Sequence, residues 1–599
     1  MQRVCAECLV DDGSLLHPGQ QVWTEGNVAD LYDKFIKNAF VGSEGGGTFD
    51  SKWRRQLDGT SDGVRRLAAE IMLVHFLFPS SVSFGHKKRL IAETLQLDSL
   101  DDLEKSESIA ALKTAIGNPG IGFNTRRDLQ IGFVIEFVRL VKALDPLERA
   151  KVLADPWLTR DLAEQVPQEN QREMMHILLH LLHPDSFERI ASLSHKRQIA
   201  KAFANVDESP VGTDADSPVD QELWRIRSSL EGLMPDGNAP DGKVDFYYPP
   251  LSSVWSSRAA DSVDGVTDLE SLAWKKQIIL YGPPGTGKTY SARQLATELI
   301  SNAALTSWGI GRFLQNEKVL KAALKKNFRT LQLHPGYGYA DFIRGAQLIN
   351  NETRFEPGFL IEVLKDHNSQ QLHAADGSEL PSLPTVLLLD EINRTDLSAM
   401  LGEAFSLFER DKRGHAIVLP GVNHGEKAAE LTLPKDLYIV GTMNEIDQSV
   451  ETLDFALRRR FLWKRCPFDR NALIEIVESR WTHEIPSRFA IELALPQIER
   501  FADAAAALNS EISRIDDLGD MYEVGHSYFA DIVFFIAQWL EGRSKSMVAS
   551  AIWMKNGLPR APLQDLWSRS LEPLLAQYLA SVDNRQQLLA SLWKAFSSS

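Results

Sequence analysis

Apolar residues in the first third of the chain recur at three- and four-residue spacing, in VRRLAAEIMLVHFLF (64–78), LQIGFVIEFVRLVKAL (129–144) and REMMHILLHLLH (172–183). That period lines up one face of a helix, so residues 1–205 read as a mainly α-helical N-terminal domain. Between 206 and 248, VDESPVGTDADSPVDQE and MPDGNAPDG are rich in Asp, Pro, Gly and Ser and read as an acidic linker. From 249 to 465 short apolar runs alternate with helical periods, the pattern of a parallel sheet with crossover helices. Helical spacing returns over 466–599 in ALIEIVESRW, FADAAAALNSEI and LWSRSLEPLLAQYLASV, which predicts a helical cap on the α/β core.

Composition narrows this picture. The chain has 599 residues, 44% of them hydrophobic and 24% charged, as expected of a multidomain globular protein. Its net charge of −16 argues against coating nucleic acid over the whole surface, although a local basic face or a ring pore still suits phosphate. No apolar run approaches the roughly 20 residues of a membrane span, and the start MQRVCAECLVDDG has no signal-peptide core. A cytoplasmic protein without membrane contact is expected. The three cysteines, Cys5, Cys8 and Cys466, make no disulfide framework, and the Cys5/Cys8 pair lacks a second pair to complete a zinc site. Free thiols are the preferred reading. His176, His180 and His183 share one helical face at metal-ligand spacing, but no acidic or cysteine partner stands at a fixed offset, which favours an ordinary helix face.

The chemistry-bearing residues lie in the α/β segment. The apolar strand Gln277–Tyr281 runs into Gly282-Pro283-Pro284-Gly285-Thr286-Gly287-Lys288-Thr289, a full G-x-x-x-x-G-K-T phosphate loop, followed by Tyr290 and a helix. Glycines let backbone N–H groups turn onto phosphates, Lys288 suits the β and γ phosphates, and the Thr289 hydroxyl suits Mg²⁺. About 100 residues on, Thr385–Leu389 ends in Asp390-Glu391, where Asp390 suits the Mg²⁺ shell and Glu391 suits polarising the attacking water. The strand ending in Asn444 offers an amide to orient that water, and Arg458-Arg459-Arg460 offers an arginine finger to a neighbouring subunit.

At these residues the chain resembles the McrB family within the AAA+ class. The likeness rests on Asp390-Glu391-Ile392-Asn393-Arg394, on Gly441-Thr442-Met443-Asn444 through Arg458-Arg459-Arg460-Phe461, and on the tyrosine-rich His334–Gly345. Gly525-His526-Ser527-Tyr528-Phe529 and Leu571–Leu575 extend it, so that it covers roughly 245 to 580. The resemblance implies an α/β AAA+ P-loop NTPase core (249–465) with a helical lid (466–599), and a hexameric ring with nucleotide at subunit interfaces. It also implies a separate McrC-like nuclease partner, action on DNA directly or through the complex, and an N-terminal domain that chooses the target. Where the family reads MNTADRS this chain has Met443-Asn444-Glu445-Ile446-Asp447-Gln448-Ser449. Asn444, Asp447 and Ser449 are kept, while the departures beside them leave both ATP and GTP open as substrate. MoxR-type chaperones share DEINR without a counterpart of the Arg triplet and GHSYF, so protein remodelling is the alternative, with a nucleotide-gated scaffold behind it.

No nuclease constellation of spaced acids with a lysine is found outside the AAA+ core. In the N-terminal domain two helix starts, His86-Lys87-Lys88-Arg89 and His195-Lys196-Arg197, are the candidate phosphate contacts, weighed against a plain solvated face.

Overall fold

The computed structural model describes residues 1–37, 49–79, 82, 84–97, 106–117, 126–167, 173–204, 218–255, 266–349, 352–423, 427–446 and 455–598. The chain forms two compact units, Met1–Gly232 and Leu233–Ser599.

The first unit is helical over its described residues, and the three apolar periods become helices Asp62–Phe76, Arg127–Lys142 and Glu173–Leu182. Their inward faces bury Phe76, Phe133 and Phe137 with Trp23 and Trp53 in one core. Burial of a carboxylate is tolerated when every lone pair finds a donor. Glu70 meets that condition by accepting from the Leu15 and Leu16 amides, each at 3.0 Å, and from Trp23 Nε1 at 2.6 Å.

Two expectations change here, and a third is met. The segment read as linker contains a helix, Val219–Leu233, whose Asp220, Leu223, Ile226 and Leu230 are buried at helical spacing. Flanking Pro, Asp and Gly masked that period in the sequence. Both candidate phosphate-binding helix starts turn their central lysine inward: Lys87 Nζ donates to the Pro79 carbonyl at 2.8 Å, and Lys196 Nζ lies 2.5 Å from Asp220 and 2.9 Å from His176 Nδ1. Burial pushes the Lys87 ammonium down to about 8; Lys87 ties its helix to the loop before it, and Lys196 ties its helix to Val219–Leu233. The histidines diverge, with His180 Nδ1 at 2.8 Å from the Phe187 carbonyl and His183 Nε2 at 3.0 Å from the Thr159 hydroxyl. Among the described residues no His, Cys, Asp and Glu group is built to hold a metal ion, and no helix is long and apolar enough to cross a membrane.

The second unit carries a five-stranded sheet of β1 (Gln277–Gly282), β2 (Phe328–Gln332), β3 (Thr385–Asp390), β4 (Leu437–Asn444) and β5 (Leu462–Arg465). All pairings are parallel, in the order β5-β1-β4-β3-β2. Helices cover such a sheet on both faces, which is why Val386–Leu389 is apolar without alternation and fully buried. The long helix α1 (Lys288–Trp308) follows β1, and the cap contains α2 (Arg470–Glu484), α3 (Leu495–Ser513) and α4 (His526–Ala530). The LWSRSLEPLLAQY period is split into Ala561–Leu566, a π turn Trp567–Leu571 and Glu572–Tyr578. Pro573 has no N–H to continue the regular ladder there.

Candidate functional site

Parallel α/β sheets bind ligands beyond the C-terminal ends of their strands. Here β1 and β4 run side by side, with Gly282 opposite Asn444, and β3 ends beside them. A cleft of about 490 Å³ opens at these ends, lined by Gly285, Lys288, Thr289, Asp390, Glu391 and Asn444 among others. Its size falls within the range of small-molecule sites.

The phosphate loop needs its glycines. Gly282 has φ +147°, and a Cβ there would lie 2.5 Å from the Cys466 carbonyl oxygen; at Gly285, φ +79°, a Cβ would lie 2.4 Å from Ser527 Oγ. Lys288 opens α1 and is buried, its Nζ donating to the carbonyls of Gly282 at 3.1 Å and Pro283 at 2.6 Å. Desolvation lowers the pKa of this ammonium, while Cys466, Glu445, Asp390 and Glu391 act in the opposite direction. Tyr290 stands exposed one turn into the helix, with its hydroxyl 2.7 Å from Gln294 Nε2.

Across the cleft, Thr289 Oγ1 donates to Asp390 Oδ1 at 3.2 Å. These two hard oxygen groups, side by side at the cleft floor, fit the coordination chemistry of Mg²⁺. Thr442 on β4 ties the acids together: its hydroxyl donates to Asp390 Oδ1 and accepts the Glu391 N–H at 3.1 Å. Glu391 itself has φ +57°, a left-handed conformation costing about 1–3 kcal/mol in a non-glycine residue. Its carboxylate pairs with Arg394, and Asn393 Nδ2 donates to the Asn444 carbonyl at 2.8 Å. The Asp390–Arg394 motif thus holds β3 and β4 in register at the reactive end. The tyrosine-rich segment braces the following loop, since the Thr395 hydroxyl donates to the Tyr337 carbonyl at 2.6 Å.

The cap closes on the loop through GHSYF. Ser527 N–H donates to the Gly285 carbonyl at 3.0 Å. A Cβ on Gly525 would lie 2.3 Å from the Pro284 oxygen, so the contact requires glycine. Arg480 on α2 also lines the cleft, held by Asp531 at 2.8 Å.

The Arg triplet lies at the other end of the sheet. Arg460 is buried, ion-paired to Glu409 at 2.5 Å, with its guanidinium 4.0 Å from the Phe405 ring centre. Its carbonyl accepts from Gln277 Nε2 at 2.6 Å, which fixes it beside the first residue of β1. At about 3.3 Å per residue, the six residues of β1 set the Arg460 backbone roughly 16 Å from the phosphate loop. Arg459 is exposed and reaches Glu409 at 3.0 Å, while Arg458 is exposed over the Trp463 ring at 5.4 Å.

Comparison with known proteins agrees with this geometry. Residues 309–461 match the AAA domain of the dynein-related subfamily. The type IV methyl-directed restriction enzyme EcoKMcrB subunit of Escherichia coli K12 is 30% identical over 318 residues, 51% of this chain and 61% of the relative. The chain carries an AAA domain and is similar to an McrB subunit over about half of its length. A second relative, the type II restriction enzyme BsuMI component YdiS of Bacillus subtilis 168, is 26% identical over 31% of this chain and 54% of its own length. The match therefore spans less than two thirds of either relative. A solved Cytophaga hutchinsonii protein described as an ATPase covers 70% of this chain and 98% of its own at 11% identity and a TM-score of 0.19, a likeness that carries no argument.

Within this AAA module the structure brings together Gly282 through Tyr290, Asp390, Glu391 and Asn444, and sets Arg458, Arg459 and Arg460 apart from them. Asp447 lies outside the described residues. Sequence reasoning missed Thr442 and Arg480. Thr442 sits two residues before Asn444 and so shares its strand face, and Arg480 stands four residues after the cleft-lining Ile476, on one helix face.

Proposed function

We propose that this chain hydrolyses a nucleoside triphosphate across the subunit interfaces of a ring, as the DNA-directed motor of a restriction complex whose DNA-cutting chain is separate. One observation carries the reading: the phosphate loop, acids and Asn444 occupy one end of the sheet, and Arg459 and Arg460 the other, with the Arg460 backbone roughly 16 Å away. An arginine placed so serves the nucleotide of a neighbouring copy in a closed ring, hexameric by analogy with the family.

Each group then has a defined task. Loop N–H groups and Lys288 bind the β and γ phosphates, Glu391 takes the proton of the attacking water, and the Asn444 amide orients that water. Thr289 and Asp390 would hold Mg²⁺, which supplies charge neutralisation on the phosphate oxygens. Arg458 and Arg459 are the exposed candidates for the trans finger, because Arg460 is consumed by Glu409 and Phe405 of its own chain. The restriction role rests on the names of the two relatives, one a methyl-directed restriction enzyme subunit and the other a restriction enzyme component. The N-terminal unit, compact in itself, is assigned target choice.

The test is mixing. A chain carrying Arg458→Ala and Arg459→Ala with intact Lys288 regains hydrolysis when combined with Lys288→Ala chains in demonstrated mixed rings, with ATP and GTP measured in parallel. Absence of rescue removes the trans arginine. Stimulation by unfolded protein, and none by DNA with an McrC-type chain, moves the reading to a protein-remodelling machine.

A further inference from the structure

The arginine end holds a second feature that no motif contains. A concavity of about 570 Å³ opens there, and Trp274, Lys275, Glu409, Arg410 and Arg459 help to line it. Trp274 comes from the helix Asp268–Lys275 that precedes β1. That helix is fixed by a Thr267–Glu270 capping box and by an ion pair from Asp268 to Lys464 of β5. Its Leu272 is buried, and two residues on, at about 100° per residue, Trp274 points away from the core. The indole is accordingly 55% exposed, a large apolar ring left beside solvent. Two cations lie over it, Arg410 with its guanidinium 5.3 Å and Lys275 with its ammonium 5.5 Å from ring centroids. Such stacking limits the directions a long side chain samples without neutralising its charge.

The balance of charge in the concavity is positive. Glu409 is shared between Arg459 and Arg460, so it does not answer Lys275 and Arg410, and Asp411 is the other acid in the lining. This stands out in a chain of net charge −16. The complementary surface is at the opposite end of the same fold, where Asp390, Glu391 and Glu445 gather around a loop built for polyphosphate.

We propose that Arg410 is a second cation delivered to the nucleotide bound by the neighbouring copy of this chain, and that Trp274 is the positioning residue that presents it. The proposal rests on the trans reading above and adds residues from segments 268–275 and 408–411 to it. Arg459, braced by Glu409, and Arg410, braced by Trp274, would approach one anion from two sides of the concavity.

The experiment compares Arg410→Ala, Trp274→Ala and Trp274→Phe in the full chain, with assembly checked by sedimentation and kcat and KM measured separately. Loss of one charge-assisted phosphate contact is expected to lower kcat on the order of 10- to 100-fold in Arg410→Ala. Trp274→Ala should reproduce that loss, and Trp274→Phe, which keeps an aromatic face, should restore it. In mixed rings, Lys288→Ala chains should rescue Arg410→Ala chains, whereas chains carrying both substitutions should not. If Arg410→Ala does not assemble, Arg410→Gln chains mixed with wild-type chains give the same comparison. Unchanged kcat in Arg410→Ala or Arg410→Gln, or a loss that Lys288→Ala chains cannot rescue while they do rescue Arg459→Ala, overturns the proposal and leaves the trans reading standing. Failure to rescue Arg459→Ala as well overturns the trans reading itself.

Discussion

At the phosphate end of β1, Lys288, Thr289, Asp390 and Glu391 are held by backbone carbonyls, by one another and by the Thr442 hydroxyl, on three segments that each carry a recognisable motif. At the other end, Arg459 and Arg460 are held by Glu409, and Arg410 by Trp274, side chains that come from three separated segments. The first arrangement is a self-contained binding site whose reactive groups face one cleft. The second presents cations outward, with their braces behind them, at the end of β1 away from the phosphate loop. One end is built to receive a nucleotide and the other to be offered to one.

The widest break between the two ends comes from removing the exposed arginines. Joint Arg458→Ala and Arg459→Ala substitution should lower kcat by about 10³ to 10⁵, the scale of arginine fingers in other NTPases, with nucleotide affinity little changed. Steady-state hydrolysis beside equilibrium binding of a fluorescent nucleotide checks this; equal loss of binding would return the arginines to their own cleft. Next in size is Glu391→Gln, which should bind nucleotide but hydrolyse it at least about a hundredfold more slowly, because the amide cannot take the proton. Lys288→Ala should instead lose binding, and equal loss in both variants would remove the division of roles.

Much of this division is legible in the sequence because phosphate chemistry is local. A strand, a glycine loop and a helix must be consecutive, so Gly282–Thr289 announces itself, as does an apolar strand ending in Asp390-Glu391. The helical periods of the N-terminal unit were legible for the same reason. What escaped depends on distant pairing. Val219–Leu233 reads as linker until Asp220 meets Lys196, and Lys87 reads as a solvated or phosphate-facing cation until it meets the Pro79 carbonyl. The GHSYF glycine has no visible purpose until Gly525 is seen against Pro284. Trp274 and Arg410 carry no signature at all, since stacking across 136 residues obeys no spacing rule.

A finer contrast concerns Thr442, which joins β3 to β4 at the phosphate end. Thr442→Val removes the acceptor of the Glu391 N–H and the donor to Asp390 while keeping the strand-favouring shape. Leaving those groups unmatched costs about 1–3 kcal/mol, so kcat should fall on the order of 10- to 100-fold. Thr442→Ser keeps the hydroxyl and should retain most activity. A Val variant as active as the Ser variant would show that Asp390 and Glu391 need no such brace.

The smallest expected effect separates Arg460 from its two neighbours and is one of stability. The guanidinium is buried, pairs with Glu409, donates to the Ala456 carbonyl at 2.8 Å and lies against Phe405. Arg460→Ala therefore leaves a carboxylate and a carbonyl without this donor and an aromatic face without its cover. Because Glu409 remains 31% exposed, water takes over part of the lost interaction, and the penalty should be held to about 1–2 kcal/mol. Arg458→Ala and Arg459→Ala remove exposed groups and should stay within about 0.5 kcal/mol of the parent. Urea unfolding of the three single variants measures this directly. A midpoint shift confined to Arg460→Ala assigns that residue to the frame and leaves the other two to the neighbouring copy. Equal shifts in all three would mean that the whole triplet is frame, and the two ends of the sheet would then differ only in which of them binds nucleotide.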